Sequence, residues 1–132
     1  MSVFWKLVGL AVAAACVVEG DVMVGGPMDV DINDQSAQNA LKFAVAQHNK
    51  GSNDVFVSAV QNVIEARKQV VAGIKYIFEV QMARTQCKKG GVEELCEFHE
   101  DPALAKPFTC TFEVWSRPWM NSIVLLKNTC AN

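Results

Sequence analysis

The sequence predicts an α+β fold in which a single α-helix packs across a four- to five-stranded antiparallel β-sheet. One segment has apolar residues at helical spacing, and four later segments are rich in Val, Ile, Phe and Thr, with apolar and polar residues alternating in places. An antiparallel sheet with one wet face can bury its other face under one amphipathic helix. Since the chain has 132 residues, we expect a single domain.

The predicted helix follows residues 33–36, a cluster of side chains that commonly cap helix N-termini. We expect it to end near residues 49–51, with Gly51 in the left-handed conformation that terminates many helices. His48 closes the apolar stripe, so we expect a packed or half-exposed histidine there rather than a catalytic one. The stripe comprises Ala37, Ala40, Leu41, Ala44, Val45 and His48.

The predicted strands follow the helix, apart from one short strand before it. Alternation is clearest in the second long strand, where one face carries Tyr76, Phe78, Val80 and Met82. The connection before the third long strand is polar and acidic, so we expect it to be a solvated surface. The expected strands are residues 28–32, 55–68, 73–84, 108–115 and 122–128, and the polar connection is residues 92–106.

Residues 1–20 are typical of a secretory signal peptide, since Lys6 precedes an uncharged apolar run at residues 7–18. That run is shorter than the roughly 20 residues of a transmembrane helix. We predict cleavage after Gly20, which gives a mature domain of residues 21–132, secreted and without a membrane anchor. We set aside an uncleaved anchor and a lipoprotein signal that uses Cys16.

Four cysteines follow the predicted signal peptide, in a compartment that favours disulfides. They allow three pairings. The spacing favours Cys87 with Cys96, across a polar turn, and Cys110 with Cys130, on two neighbouring strands. We expect no metal and no cofactor.

Charge and composition exclude two classes of function. Twelve Lys and Arg against fourteen Asp and Glu give a net charge of −2, which does not suit a nucleic-acid-binding surface. The chain has two histidines and no Gly-rich phosphate loop. With its cysteines paired it offers no evident nucleophile and base, so we do not expect an enzyme.

Topology brings the turns at residues 69–73 and 117–119 to one end of the sheet, together with residues 23–27, because alternate turns of an antiparallel meander share an end. Hairpin tips are normally polar, but these contain Val70, Val71 and Trp119. They are either strand and core residues or an exposed apolar binding edge.

These residues resemble a known family. The segment Gln69, Val70, Val71, Ala72 and Gly73 is similar to the QxVxG signature of the cystatins, which inhibit papain-like cysteine proteases. Further similarity covers nearly all of the predicted mature chain. Residues 24–27 resemble the glycine-containing N-terminal trunk, Pro118 and Trp119 resemble the second hairpin loop, and the four cysteines resemble those of the secreted type 2 branch.

The resemblance implies the cystatin fold and a reversible, tight-binding wedge in the protease cleft. Its implied partners are cathepsins of the B, H, L and S types. In the implied wedge Gly25 is a pivot, and the contacts come from Met23, Val24, Gln69, Val70, Val71, Ala72, Gly73, Pro118 and Trp119. We expect a monomer, with the hairpin at Val70 and Val71 as a hinge for a domain-swapped dimer.

The segment Ser52, Asn53 and Asp54 resembles the loop by which some type 2 members inhibit legumain, an asparagine-specific protease. Asn53 is then the specificity residue, and the alternative is an ordinary turn asparagine. Because this turn precedes the first long strand, we expect it at the end of the sheet opposite the papain-binding edge.

A different function on the same fold is a secreted carrier or antimicrobial protein without protease inhibition. The complete set of Gln69, Val71, Gly73, Pro118 and Trp119 favours the inhibitor.

Overall fold

The computed structural model describes residues 26–90 and 96–131 of the chain. The elements, in chain order, are β1 (Met28–Asp29), α1 (Gln35–Gly51), β2 (Phe56–Val71), β3 (Gly73–Lys88), a short helix (Pro102–Ala105), β4 (Phe108–Arg117), a 3₁₀ turn (Pro118–Met120) and β5 (Ser122–Ala131). The five strands form one antiparallel sheet in the order of the sequence. The predicted fold class is confirmed. The predicted signal peptide lies outside the described residues.

Helix α1 begins at an aspartate cap and ends without a left-handed residue. The Asp34 carboxylate accepts a hydrogen bond from the Ala37 N–H at 3.2 Å. The prediction for Gly51 was wrong: Gly51 is the last helical residue, and Ser52 leaves the helix in an extended conformation, with φ −84° and ψ 146°. The Asn49 side-chain amide bonds both backbone groups of Ser58, so the last turn of the helix is tied to the start of β2 across the loop between them.

The core lies between α1 and one face of the sheet. The helix contributes mostly alanines, whose small side chains let it lie close to the aromatic residues of β3 and β4. The alternation predicted for β3 is confirmed. The buried cluster comprises Ala37, Ala40, Leu41, Ala44, Tyr76, Phe78, Val80, Met82, Cys110, Phe112 and Val114.

His48 is partly buried, as expected from its place at the end of the stripe. Its ring stacks on Phe108 with the ring centroids 5.7 Å apart.

The long strands extend beyond their predicted ends. Val71 pairs with Gly73 and Val70 with Ile74, so the ladder continues to the tip and the turn is centred on Ala72. Strand β1, in contrast, is shorter than predicted and has two residues. The Val30 N–H after it still donates to the Ala66 carbonyl at 3.0 Å. Periodicity does not locate such ends, because they depend on ladder hydrogen bonds to neighbouring strands.

The described part of the connection between β3 and β4 has its acidic side chains Glu97, Glu100 and Asp101 exposed, as expected, and also contains a short helix. Asp101 accepts a hydrogen bond from the Ala103 N–H at 2.9 Å and caps the short helix Pro102–Ala105. Ala105 of this helix is buried, while Leu104 stays 52% exposed. Lys106 ends the helix in the left-handed region at φ 46°.

Two disulfides lie near the end of β3 and the start of β4, and both match the predicted pairs. Cys87 is bonded to Cys96, with the Cα atoms 5.6 Å apart, and Cys110 is bonded to Cys130 across β4 and β5. In the part of the chain that the structure describes, no helix combines the length and the apolar character needed to cross a bilayer.

Candidate functional site

Three segments meet at one end of the sheet. Ile74 pairs with Ser116, which places the β2–β3 turn beside the β4–β5 turn. Met28 pairs with Lys68, so residues 26–27 run alongside the first of these turns. We call these segments, residues 26–27, 69–73 and 117–120, the loop edge. The trunk residues Met23, Val24 and Gly25 lie outside the described residues.

The side chains of the loop edge are apolar and exposed. Val70 is 56% exposed, Val71 43% and Trp119 65%, and Met120, which the sequence analysis did not identify, is 56% exposed. Val70 and Val71 are strand residues of β2, as one of the two interpretations required. The same interpretation required Trp119 to be a core residue, and this part is wrong. Exposed apolar side chains gathered at one end of a sheet are typical of an interaction site.

Gly73 meets two separate requirements at the first tip. Its φ of +101° lies in the left-handed region that side chains disfavour. A Cβ at this position would lie 2.4 Å from the Ser116 carbonyl oxygen and 3.0 Å from Cγ of Arg117. The glycine therefore lets the first hairpin approach the backbone of the second.

Trp115 connects the two hairpins. Its indole Nε1–H donates to the Ala72 carbonyl at 2.8 Å, on the far side of Gly73. The Arg117 guanidinium lies 4.0 Å from the centre of the Trp115 ring and donates to the Ser122 hydroxyl at 3.2 Å. Sequence reasoning missed both residues, because their spacing on β4 says nothing about a partner on another hairpin.

The second tip is a single 3₁₀ turn that presents Trp119 to solvent. Pro118 opens the turn, where its missing N–H costs no hydrogen bond. The Asn121 N–H returns to the Pro118 carbonyl at 3.0 Å, and Asn121 closes the turn in the left-handed region at φ 49°. Asparagine is one of the residues that tolerate this conformation.

At the opposite end of the sheet, Ser52, Asn53 and Asp54 form a loop held from both sides. The Asp54 N–H donates to the Ser52 hydroxyl, and Lys89 Nζ donates to the Ser52 carbonyl at 2.6 Å. Asn53, between them, is exposed. Phe56 pairs with Lys88, which places this loop at the far end from the loop edge, as expected.

Asp54 is the charged anchor of that loop. Its carboxylate binds Arg84 Nε at 2.6 Å and the Phe56 N–H at 3.0 Å. Burial would raise the pKa of Asp54, but the hydrogen bond from Arg84, the Phe56 N–H and the charges of Arg84 and Lys89 outweigh it. The pKa of Asp54 is lowered from its ordinary value.

The described residues do not present a nucleophile beside a base. Nδ1 of His48 lies 3.8 Å from Sγ of Cys130, but that sulfur is already bonded to Cys110. An apolar groove of about 510 Å³ lies between α1 and the first residues of β2, in the half of the molecule away from the loop edge. The fold and the exposed apolar side chains of the loop edge together are typical of a binding protein.

Comparison with known proteins identifies the family. A family model described as "Cystatin domain" matches residues 25–119. A cystatin of Oncorhynchus keta is 56% identical over 126 residues, covering 96% of this chain and 97% of that protein. A cystatin-C of Paralichthys olivaceus is 51% identical over 109 residues, covering 82% of this chain and 85% of that protein.

Solved structures agree with the sequence relatives. The crystal structure of dimeric human cystatin F superposes with a TM-score of 0.73 at 29% identity, covering 85% of this chain and 90% of that chain. The chain belongs to the cystatin family, in its type 2 branch. It is thus a cysteine protease inhibitor and not an enzyme.

Proposed function

We propose that this cystatin inhibits papain-like cysteine proteases, the cathepsins of the B, H, L and S types, by inserting the loop edge into the active-site cleft as a reversible wedge. The observation that carries the proposal is the pair of exposed apolar tips, Val70 with Val71 and Trp119, held side by side by direct contacts between the hairpins. Tips whose apolar side chains were buried in the inhibitor itself could not contact the cleft walls.

The three segments have different roles in the proposed wedge. Val70, Val71 and Ala72 pack on the cleft wall beside the catalytic pair, and Trp119 lays its ring on the opposite wall. The trunk residues Met23 and Val24 occupy the non-primed subsites, with Gly25 as their pivot. The described residues 26–27 support this assignment, because the pairing of Met28 with Lys68 places them beside the first hairpin.

Affinity in this mechanism comes from order that exists before binding. A nanomolar complex needs about −12 kcal/mol. Buried interface tryptophans contribute roughly 2 to 4 kcal/mol, and a preformed edge avoids most of the cost of ordering loops on association. The short turns at Ala72 and at Pro118–Met120 leave few residues to be ordered.

Resistance to cleavage follows from the same geometry. A protease substrate must place a peptide carbonyl in line with the nucleophile. In the first tip the Ala72 carbonyl already accepts a hydrogen bond from Trp115 within the inhibitor. Turning this carbonyl toward the protease requires breaking that bond.

The test is a titration of papain and of cathepsins B and L with protein secreted from cells that express the full chain. Tight, reversible inhibition with the inhibitor intact afterwards is the expected result. Full residual activity of all three enzymes with disulfide-bonded protein would reject the wedge and favour the carrier or antimicrobial function. The presence of the protein in the medium tests secretion, and N-terminal sequencing of that material tests the predicted start at Asp21.

A second inhibitory site for legumain at Asn53 is supported by one observation: the exposed asparagine lies between Ser52, whose carbonyl is bonded by Lys89, and Asp54, whose carboxylate is bonded by Arg84. A restrained loop presents its central side chain at low entropic cost. We expect Asn53→Ala to abolish legumain inhibition and to leave papain inhibition unchanged. Asn62→Ala, which alters an exposed asparagine in β2, is the matched control, and an unchanged legumain titration with Asn53→Ala would reject the site.

We propose a monomer as the inhibitory form, since a domain swap would open the β2–β3 hairpin and remove the first tip. Val70 and Val71, the predicted hinge, have no positive φ, and Gly73 takes the left-handed position of this turn. Size-exclusion chromatography before and after mild heating tests for a swapped dimer, and inhibition should follow the monomer peak.

A further inference from the structure

We propose that Trp115 and Arg117 are positioning residues that connect the two hairpin tips into one rigid edge before the protease binds. This inference rests on the proposed function and adds two residues that the cystatin signature of this chain does not contain. We call the set of contacts that joins Trp115, Arg117 and Ala72 the cross-hairpin bridge.

The bridge spans the two hairpins at their tips. Trp115 pairs with Lys75 in the ladder, so its side chain stands on the outer face of the sheet, away from the helix. From there the indole reaches past Gly73 to the Ala72 carbonyl at 2.8 Å. Nε1 of Trp115 is also 3.3 Å from the position of a Cβ on Gly73, so the glycine leaves the space through which the indole passes.

Arg117 holds the indole in place from the other side. Its guanidinium carbon lies 4.0 Å from the Trp115 ring centre, and Nη2 donates to the Ser122 hydroxyl on β5. A planar guanidinium can stack on an indole and donate hydrogen bonds at the same time, whereas a lysine ammonium lacks the plane. The bridge thus reaches from β5 through β4 to the turn between β2 and β3.

The bridge bears on binding because ladder hydrogen bonds alone do not fix the turn. Ala72 lies between the last ladder partners, Val71 and Gly73. The Trp115 indole donates to the Ala72 carbonyl. Trp115 belongs to β4, the strand that leads into Pro118 and Trp119. The position of the first tip is therefore set relative to the second, which reduces the ordering that binding would otherwise require.

The decisive variant is Trp115→Phe, which keeps an aromatic ring under Arg117 and removes the N–H donor. We expect its dissociation rate from papain to rise about fivefold, the effect of losing one hydrogen bond. The thermal midpoint should stay within about 4 °C of the native value. Glu113→Gln is the matched control: Glu113 lies two residues away on the same face, bonds Lys75, and touches neither tip.

A second measurement does not depend on the variant's stability. In the native protein, NMR should show slower solvent exchange for the Trp115 indole proton than for that of Trp119, which is 65% exposed. Equal exchange of the two protons would overturn the bridge, and so would a Trp115→Phe protein that dissociates at the native rate.

If Trp115→Phe lowers the melting point strongly, Arg117→Lys is used as the test variant instead. We expect Arg117→Lys to raise the dissociation rate from papain by a smaller factor. Dissociation of Arg117→Lys at the native rate would count against the bridge. Failure of the native protein to inhibit papain would reject the proposed function instead. The indole exchange rates would then still decide whether the bridge exists.

Discussion

Gly73 shows how one residue can be fixed by two independent constraints. The motif alone explains a glycine by its backbone bend, and the structure adds the Ser116 carbonyl 2.4 Å from any Cβ. Because the obstruction is a backbone atom rather than a movable side chain, the two hairpins would have to separate to accept alanine.

Gly73→Ala is therefore expected to weaken papain inhibition more than tenfold and to lower the unfolding free energy by about 1 to 3 kcal/mol. Gly51→Ala is the control, since Gly51 ends a helix with nothing within 4 Å of its Cβ position. Enzyme titration and urea unfolding measure the two effects. Native inhibition by Gly73→Ala would contradict the contact between the tips.

Trp119 differs from Gly73 because its side chain is mostly exposed, and in the proposed wedge it contacts the protease. At 65% exposure it has little to lose in the free protein. We expect Trp119→Ala to leave the thermal midpoint unchanged and to raise the dissociation rate from papain about tenfold or more. Leu104→Ala, a variant of another half-exposed apolar residue, is the control for surface-binding kinetics, and an unchanged off-rate in Trp119→Ala would argue against its role.

At the scale of elements, the two ends of the β2–β3 hairpin are stabilised by different interactions. At the loop edge the ladder runs into a turn of one residue beside the second hairpin. At the other end the Ser52–Asp54 loop is held by side chains, chiefly the ion pair of Asp54 with Arg84, whose partly buried groups are about one fifth exposed.

This ion pair predicts a pH dependence of stability. The folded pKa of Asp54 lies below the unfolded value of about 3.9, so its stabilising effect is complete above that pH and is lost as the pH falls through the folded pKa. In urea unfolding, native protein should exceed Asp54→Asn in stability at pH 6, and the difference should shrink below about pH 4. A difference that stays constant down to pH 2.5 would refute the assignment.

At the scale of the whole molecule, the disulfide between β4 and β5 lies at the end of the sheet opposite the loop edge. The Cys110–Cys130 disulfide closes a loop of sequence separation 20 at one end of the β4–β5 hairpin, whereas Arg117 pairs with Ser122 at the other end. The tip of this hairpin and the covalent link are thus separated by nearly the full length of β4.

Replacing this pair by Cys110→Ala with Cys130→Ser should lower the unfolding free energy by about 3 kcal/mol or more. Papain inhibition under native conditions should change little, because the tips keep their ladder and their bridge. Urea unfolding and enzyme titration on the same sample measure both quantities. A loss of inhibition parallel to the loss of stability would show that the two regions are coupled.

The architecture could be predicted largely from local patterns. The Asp34 cap, the alanine stripe and the alternation through Tyr76 and Phe78 each depend on near neighbours in the sequence, and all are found in the structure. The termination at Gly51, the length of β1 and the ends of the long strands could not be predicted this way. They depend on hydrogen bonds to residues distant in the chain, such as Asn49 with Ser58.

The sequence by itself determined the fold class, the disulfide pairs and the motif that resembles the cystatin signature, because periodicity, cysteine spacing and turn chemistry are properties of short segments. Only the tertiary structure decided that Trp119 and Met120 are exposed and that Gly73 makes room for the neighbouring hairpin. It alone placed the indole of Trp115 on the carbonyl of Ala72, 43 residues away. Such contacts follow from the register of separate strands, which the whole sheet sets together.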